Sequence, residues 1–154
     1  CFGGALSHVV EINEREKAVD EMVRVTKAGG YIFCSVIGRL AVLITDLIEY
    51  PEEIRMDIFK EIRDTGNYDG SNGFTHTHFF LSEDLKELFN RPNLEFISLV
   101  GLEGLASHHD TALNNLFEND KKAFEIWWET HIQFCTHPAI IDTSEHILII
   151  CRKT

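Results

Sequence analysis

The stretch RVTKAGGYIFCSVI (residues 24–37) constrains this chain more than any other. From Glu11 to Lys27, Ile12, Val19, Met22 and Val23 recur in a charge-rich background, with Thr26 continuing the row. That spacing predicts a helix with one apolar face. Lys27 ends the run and Gly29-Gly30 supplies the stop expected of a helix C-cap. YIFCSVI (Tyr31–Ile37) follows, almost continuously apolar and rich in β-branched and aromatic residues. Such a run predicts a strand buried on both faces, as in a parallel sheet. A helix, a glycine turn and a buried strand form the second half of a β-α-β unit. CFGGALSHVV, at residues 1–10, reads as the close of a preceding buried strand and the turn after it. The expectation is therefore the later part of a larger α/β domain, with residues 1–154 in one unit.

Further along, Leu40, Leu43, Ile44, Leu47 and Ile48 predict a second helix with a continuous apolar face. Pro51 with Glu52-Glu53 predicts the start of a third, striped by Ile54, Ile58 and Ile62. TGNYDGSNG (residues 65–73) is the strongest loop signal, read as either a lid or a plain connection. THTHFFL (residues 75–81) is a short extended segment, and Ser82 is placed to cap a helix carrying Leu85, Leu88 and Phe89. Pro92-Asn93 separates that helix from a strand over residues 94–102. Two helices are expected over residues 111–118 and 120–135, the second with a core-type face of Phe124, Trp127, Trp128, His131, Ile132 and Cys135. HILIICRK (residues 146–153) predicts a last apolar strand.

Composition narrows the function classes. At 44% hydrophobic and 25% charged the chain is of ordinary globular make-up and not disordered. With 25 acids against 14 bases, a formal net charge of −11, and no basic cluster larger than a pair, it has no stripe with which to neutralise phosphates. Nucleic acid and anionic membrane surfaces are therefore not expected as partners. The four cysteines form no CxxC pair, and Cys34 and Cys151 lie inside apolar runs. With no leader-like or membrane-spanning run, the expected compartment is a reducing cytoplasm.

Taken in order, these segments resemble the class I S-adenosylmethionine-dependent methyltransferases. FGGALSHV resembles the end of that family's fourth strand, and EKAVDEMVRVTKAGGYIFCSV its helix and glycine pair leading into the fifth. THFFLSEDLKELF with LEFISLVGLEGLAS is similar to the passage into the sixth, and HILIICRK to an antiparallel seventh. The R-V-x-K-x-G-G run before a hydrophobic strand is the most specific portion. The resemblance implies an α/β fold, the C-terminal part of a Rossmann-like sheet of parallel strands plus a terminal antiparallel strand, with helices on both faces. It implies S-adenosyl-L-methionine as cofactor and a small-molecule methyl acceptor. The family's glycine-rich loop after its first strand and the acidic residue after its second have no counterpart here. The isolated chain is accordingly expected to bind cofactor weakly and to be inactive.

By position, the resemblance places Cys1, Phe2, Gly3, Gly4, Ser7 and His8 at the cofactor. Open α/β sheets bind ligands beyond the carboxyl ends of their strands, and glycine lets backbone approach a bulky group. The plain alternatives are a tight turn for the glycines, a helix N-cap for Ser7 and an exposed turn residue for His8. His76 and His78, two apart and so expected to face one way on a strand, are the first acceptor-binding candidates, against histidines bonded to backbone. Glu103, between glycines after a strand end, is the third, against a solvated turn residue. No third ligand at a recognised spacing joins these histidines or His108-His109-Asp110, so no metal is expected. No catalytic residue is assigned. The competing reading is a non-catalytic α/β module that binds a partner or forms a homo-oligomer through an exposed sheet edge.

Overall fold

The computed structural model describes residues 1–71 and 75–154. After a 3-10 turn at Ala5–His8, helix α1 spans Ile12–Val25. Arg15, Val19 and Val23, four apart, form its buried row. The helix does not end on the glycine pair. Thr26 is extended and its hydroxyl donates to the Met22 carbonyl at 2.7 Å, closing the last turn. The glycines serve the next feature, a turn in which Gly30 N–H donates to the Lys27 carbonyl at 2.9 Å. Gly29 sits there at φ 77°, the left-handed position such a turn requires.

Strand β1 (Tyr31–Ile37) occupies the expected residues. Its burial differs: Ile32, Cys34 and Val36 are buried, while Tyr31 is 55% and Phe33 40% exposed. The strand is covered on one face near its start, not on both. Helix α2 (Arg39–Glu49) also departs from expectation. It buries Arg39, Ala41 and Asp46, whereas Leu47 and Ile48 on the predicted apolar face are 64% and 61% exposed. Pro51 begins a turn and a short 3-10 segment, and α3 (Asp57–Thr65) starts later than predicted, ending at Gly66 with φ 79°.

Strands β2 (Asn67–Tyr68) and β3 (Thr77–His78) pair antiparallel. They zip the ends of the glycine-rich loop, whose Asn72-Gly73 lie outside the described residues. Helix α4 (Ser82–Leu88) buries Leu85 and Leu88 as its pattern predicts, and Phe89 beyond it is buried too. Ser82 is its first residue and not its cap: its N–H and Oγ both donate to the Asp142 carboxylate, at 2.6 and 2.7 Å. Strand β4 (Leu94–Gly101) carries a register shift between Phe96 and Ser98. Helices α5 (Asp110–Asn119), α6 (Lys121–Phe134) and α7 (Pro138–Ile141) precede strand β5 (His146–Lys153). The aromatic face of α6 is not core: Trp128 and Ile132 are 53% and 56% exposed.

The main sheet has the order β1-β5-β4. Both of its ladders are antiparallel, with Cys34 and Leu99 each opposite Ile149 of β5. The expected parallel sheet is corrected accordingly, because β5 lies between the two earlier strands and runs against each of them. Register places Ile32, Cys34 and Val36 on one face with Cys151, Ile149 and Ile147. Val19 and Val23 of α1 and Leu85, Leu88 and Phe89 join them in one core cluster. Parallel contact does occur at two points off the ladders. Gly38 and Phe80 form an isolated parallel bridge. At the edge of β1, the Cys1 amine donates to the Phe33 carbonyl and Ser35 N–H donates to the Cys1 carbonyl, both at 2.9 Å, the offset a parallel neighbour makes. The four cysteines are unpaired, and among the described residues no helix is long and apolar enough to cross a membrane.

Candidate functional site at the strand ends

Ile37 pairs with His146 and Gly101 with Ile147, so the carboxyl ends of β1 and β4 and the start of β5 share one edge of the sheet. Gly3 and Gly4 stand there with φ 72° and 71°, which only glycine adopts readily. Gly3 N–H donates to Ser35 Oγ at 3.1 Å, and a Cβ built on Gly3 meets nothing within 4 Å. Open space in front of that backbone suits a ligand that approaches closely. Gly4 differs, since its Cβ would stand 3.0 Å from Ile37 Cγ1. Phe2 is largely exposed. Ser7 is not a helix cap: it is fully buried, and its Oγ accepts from Ile37 N–H at 2.9 Å, fixing the end of β1.

His8 is exposed, with Nδ1 3.2 Å from the His76 carbonyl and 3.3 Å from Thr77 Oγ1. The fold thus brings His8 and His76 together from opposite ends of the sequence reading. It separates His76 from His78. The strand begins only at Thr77, so His76 is exposed while His78 is buried, and the two do not face one way. His78 Nδ1 donates to Asn67 Oδ1 at 2.7 Å, and its ring stands edge-on to Phe80, centroids 4.6 Å apart. Burial, with the positive charges of Arg15 and Arg39 adding to it, pushes His78 down to about 4. It is neutral at physiological pH.

Glu103 is a clamp and not a solvated turn residue. Its two oxygens accept from His146 N–H and His146 Nδ1, each at 2.8 Å, which holds the start of β5. Burial pushes the Glu103 carboxyl up, but the two bonds and the charge of His146 outweigh it and leave the group below its ordinary value. His146 is raised, chiefly by its bond to Glu103. Beside this pair, His108 adopts φ 63° with Nδ1 3.9 Å from Glu145 Oε1. Among the described residues no three histidines, cysteines, aspartates or glutamates stand as a metal site.

Sequence reasoning missed two arginines. Arg15 lies on the same four-residue row as Val19 and Val23, and that charge on an apolar stripe was the signal. Arg39 directly follows the glycine that ends β1, where a buried charge has a strand end to hold. Its Nε donates to the Phe79 carbonyl, and its Nη2 to the Thr65 carbonyl and to Asp84 Oδ2, all at 3.1–3.2 Å. With His78 both arginines line a cleft of about 520 Å³ between α1, α3 and α4. The chain matches no protein-family model, and comparison with curated proteins finds no relative.

Proposed function

We propose that residues 1–154 form the C-terminal portion of a class I S-adenosylmethionine-dependent methyltransferase that acts on a small-molecule acceptor. The observation that carries this reading is the strand arrangement. Two strands run in one direction with a later strand inserted antiparallel between them, and the free edge of the first makes a parallel contact with Cys1. This order supports the reading, because the resemblance implies a terminal antiparallel strand at the end of its sheet. The left-handed glycine at the carboxyl edge of β1 supports the same reading, since backbone without Cβ leaves room for a large ligand.

When bound, the cofactor would supply an electrophilic methyl group on a sulfonium sulfur. Cys1, Phe2, Gly3 and Gly4 would form one wall of its site, and Ser7 would act through Ile37 by fixing the strand end. Methyl transfer needs an in-line approach: the acceptor's lone pair forms the new bond as the carbon–sulfur pair returns to sulfur. The protein's contribution is then mainly position. In this reading His8, with Nδ1 3.2 Å from the His76 carbonyl and 3.3 Å from Thr77 Oγ1, would receive a proton from an acceptor that must lose one. Its neighbour His76 and the exposed rim beyond it are the acceptor side in this reading.

Calorimetric titration of S-adenosylhomocysteine tests the proposal, run on this chain and on a longer protein in which a glycine-rich strand–turn–helix precedes it. Binding by the longer protein with weak or no binding by residues 1–154 supports it. Absence of binding by both overturns it. In that case the partner-binding reading gains, favoured by the exposed apolar residues Leu47 and Ile48 on α2 and Trp128 and Ile132 on α6.

A further inference from the structure

We infer that the cleft between α1, α3 and α4 binds a small zwitterion, with its carboxylate on Arg15 and Arg39 and its ammonium group at the rim. The inference does not depend on the methyltransferase reading.

The argument begins with donor accounting. A guanidinium has five N–H donors and almost never sits buried without partners. Arg15 is 6% exposed, and among the described residues its hydrogen bonds run only from Nη1, to the carbonyls of Val9 and Val10. Its Nε is buried with no partner. Arg39, also buried, bonds through Nε and Nη2, and among the described residues Nη1 makes no hydrogen bond. Among the described residues the one carboxylate in salt-bridge contact with either is Asp84, 3.1 Å from Arg39 Nη2 and about half exposed. Arg15 has none, and burial lowers its pKa. Two buried guanidiniums therefore have one partly solvated carboxylate in direct contact; the charges of Glu11 and Asp84 act on Arg15, but its buried Nε keeps a donor that a further carboxylate would satisfy.

The cleft's own chemistry selects which anion. Its inner wall holds the two buried arginines, the neutral His78 and the apolar Leu88. Its rim holds Glu16, Asp64 and Glu87, all exposed. A phosphate dianion would pass those carboxylates at a cost, whereas a ligand with an ammonium group near its carboxylate meets opposite charge at both depths. Arg91 at the rim is engaged with Asp20 at 2.9 Å and does not reverse this order.

His78 lines the cleft with both arginines, feels their charges and so reports on the site. Its ring resonances are followed by NMR in the wild-type chain at constant ionic strength, with glycine, acetate, methylammonium and inorganic phosphate as probes. Glycine is expected to shift them saturably, with a dissociation constant of about 10 mM or below. Acetate is expected to bind several-fold more weakly, and methylammonium and phosphate to leave the resonances unmoved. The exposed double variant E16Q/E87Q should bring glycine binding down to that of acetate while leaving acetate within about twofold. Arg15→Gln should abolish both responses, but it also removes the bonds to Val9 and Val10, so the wild-type titration decides. No saturable shift with glycine or acetate overturns the site, and so does an equal response to phosphate. Acetate binding as well as glycine overturns the zwitterion. Because S-adenosylhomocysteine is not a probe here, failure of the methyltransferase proposal leaves this result standing.

Discussion

Helices α1 and α6 are both 14 residues long and both amphipathic in sequence, yet they end in opposite environments. Helix α1 lays Val19 and Val23 on the sheet face formed by Ile32, Cys34, Val36, Ile147, Ile149 and Cys151. Helix α6 buries none of its residues, and neither does α5. Those two helices lean on each other through an edge-on pair, Phe117 and Phe124, with centroids 5.1 Å apart. Trp128 stacks on His131 of its own helix at 5.3 Å. An apolar stripe tells that a helix has a face to cover. What covers it depends on the sheet, and the sheet reaches α1 but not α6.

That contrast can be broken by substitution. The largest effect is expected from Gly38→Ala at the end of β1, where a Cβ would stand 2.4 Å from the Ser144 carbonyl oxygen. Backbone must move there, and a loss of about 3 kcal/mol or more in urea denaturation is the expected outcome. Leu85→Ala removes a fully buried side chain from the α1 side and should cost about 2–4 kcal/mol. A near-neutral result for either would mean that this face is looser than its burial implies.

Acid should weaken the same region. His78 is held near 4 in the folded chain against an ordinary 6.5, so the unfolded chain takes up its proton first. Its contribution is whole above pH 6.5 and lost as pH falls towards 4, about 3 kcal/mol in all. Urea midpoints at pH 7 and pH 5 should separate, and His78→Gln should reduce that separation.

The Glu103–His146 clamp has a different window. Raised His146 stabilises below 6.5 and loses its effect as pH rises through its folded value, while lowered Glu103 stabilises above 4.5 and loses its effect in acid. Glu103→Gln should therefore cost most between those values, about 1–2 kcal/mol, measured by the same midpoints at pH 5.5. The smallest effect belongs to α6: Trp128→Ser should change stability by about 0.5 kcal/mol or less. A loss comparable to that of Leu85→Ala would show that α6 is covered in solution.

The sequence made the sheet's strands legible because each is a dense apolar run with a turn signal beside it. Residues 31–37 and 146–153 were found to the residue. Pairing was less legible. Nothing in HILIICRK by itself says that it enters between two earlier strands, and that insertion is what makes both ladders antiparallel. Burial failed where helices had the right period but no neighbour, as at Leu47, Ile48 and Trp128. At the candidate site, Gly3 and Gly4 were marked by type and place, and the structure gives them the backbone that only glycine takes readily. His76 and His78 were misjudged because the two-residue period holds only within a strand, and β3 starts between them. Glu103 is marked by its place between glycines, but its clamp is not legible, because its partner His146 is 43 residues away.

The inserted strand also sets a timetable. Strands β1 and β4 precede β5 in the chain and have no ladder with each other. On a ribosome, both emerge with their pairing edges unfilled, and more than forty residues, 28 of them in α5, α6 and α7, are made before their shared partner appears. Contacts between residues so far apart form slowly and late. Until they form, Cys34 and Val36 lack the opposing Ile149 and Ile147, so nascent chains stalled before residue 146 should be prime clients for a chaperone.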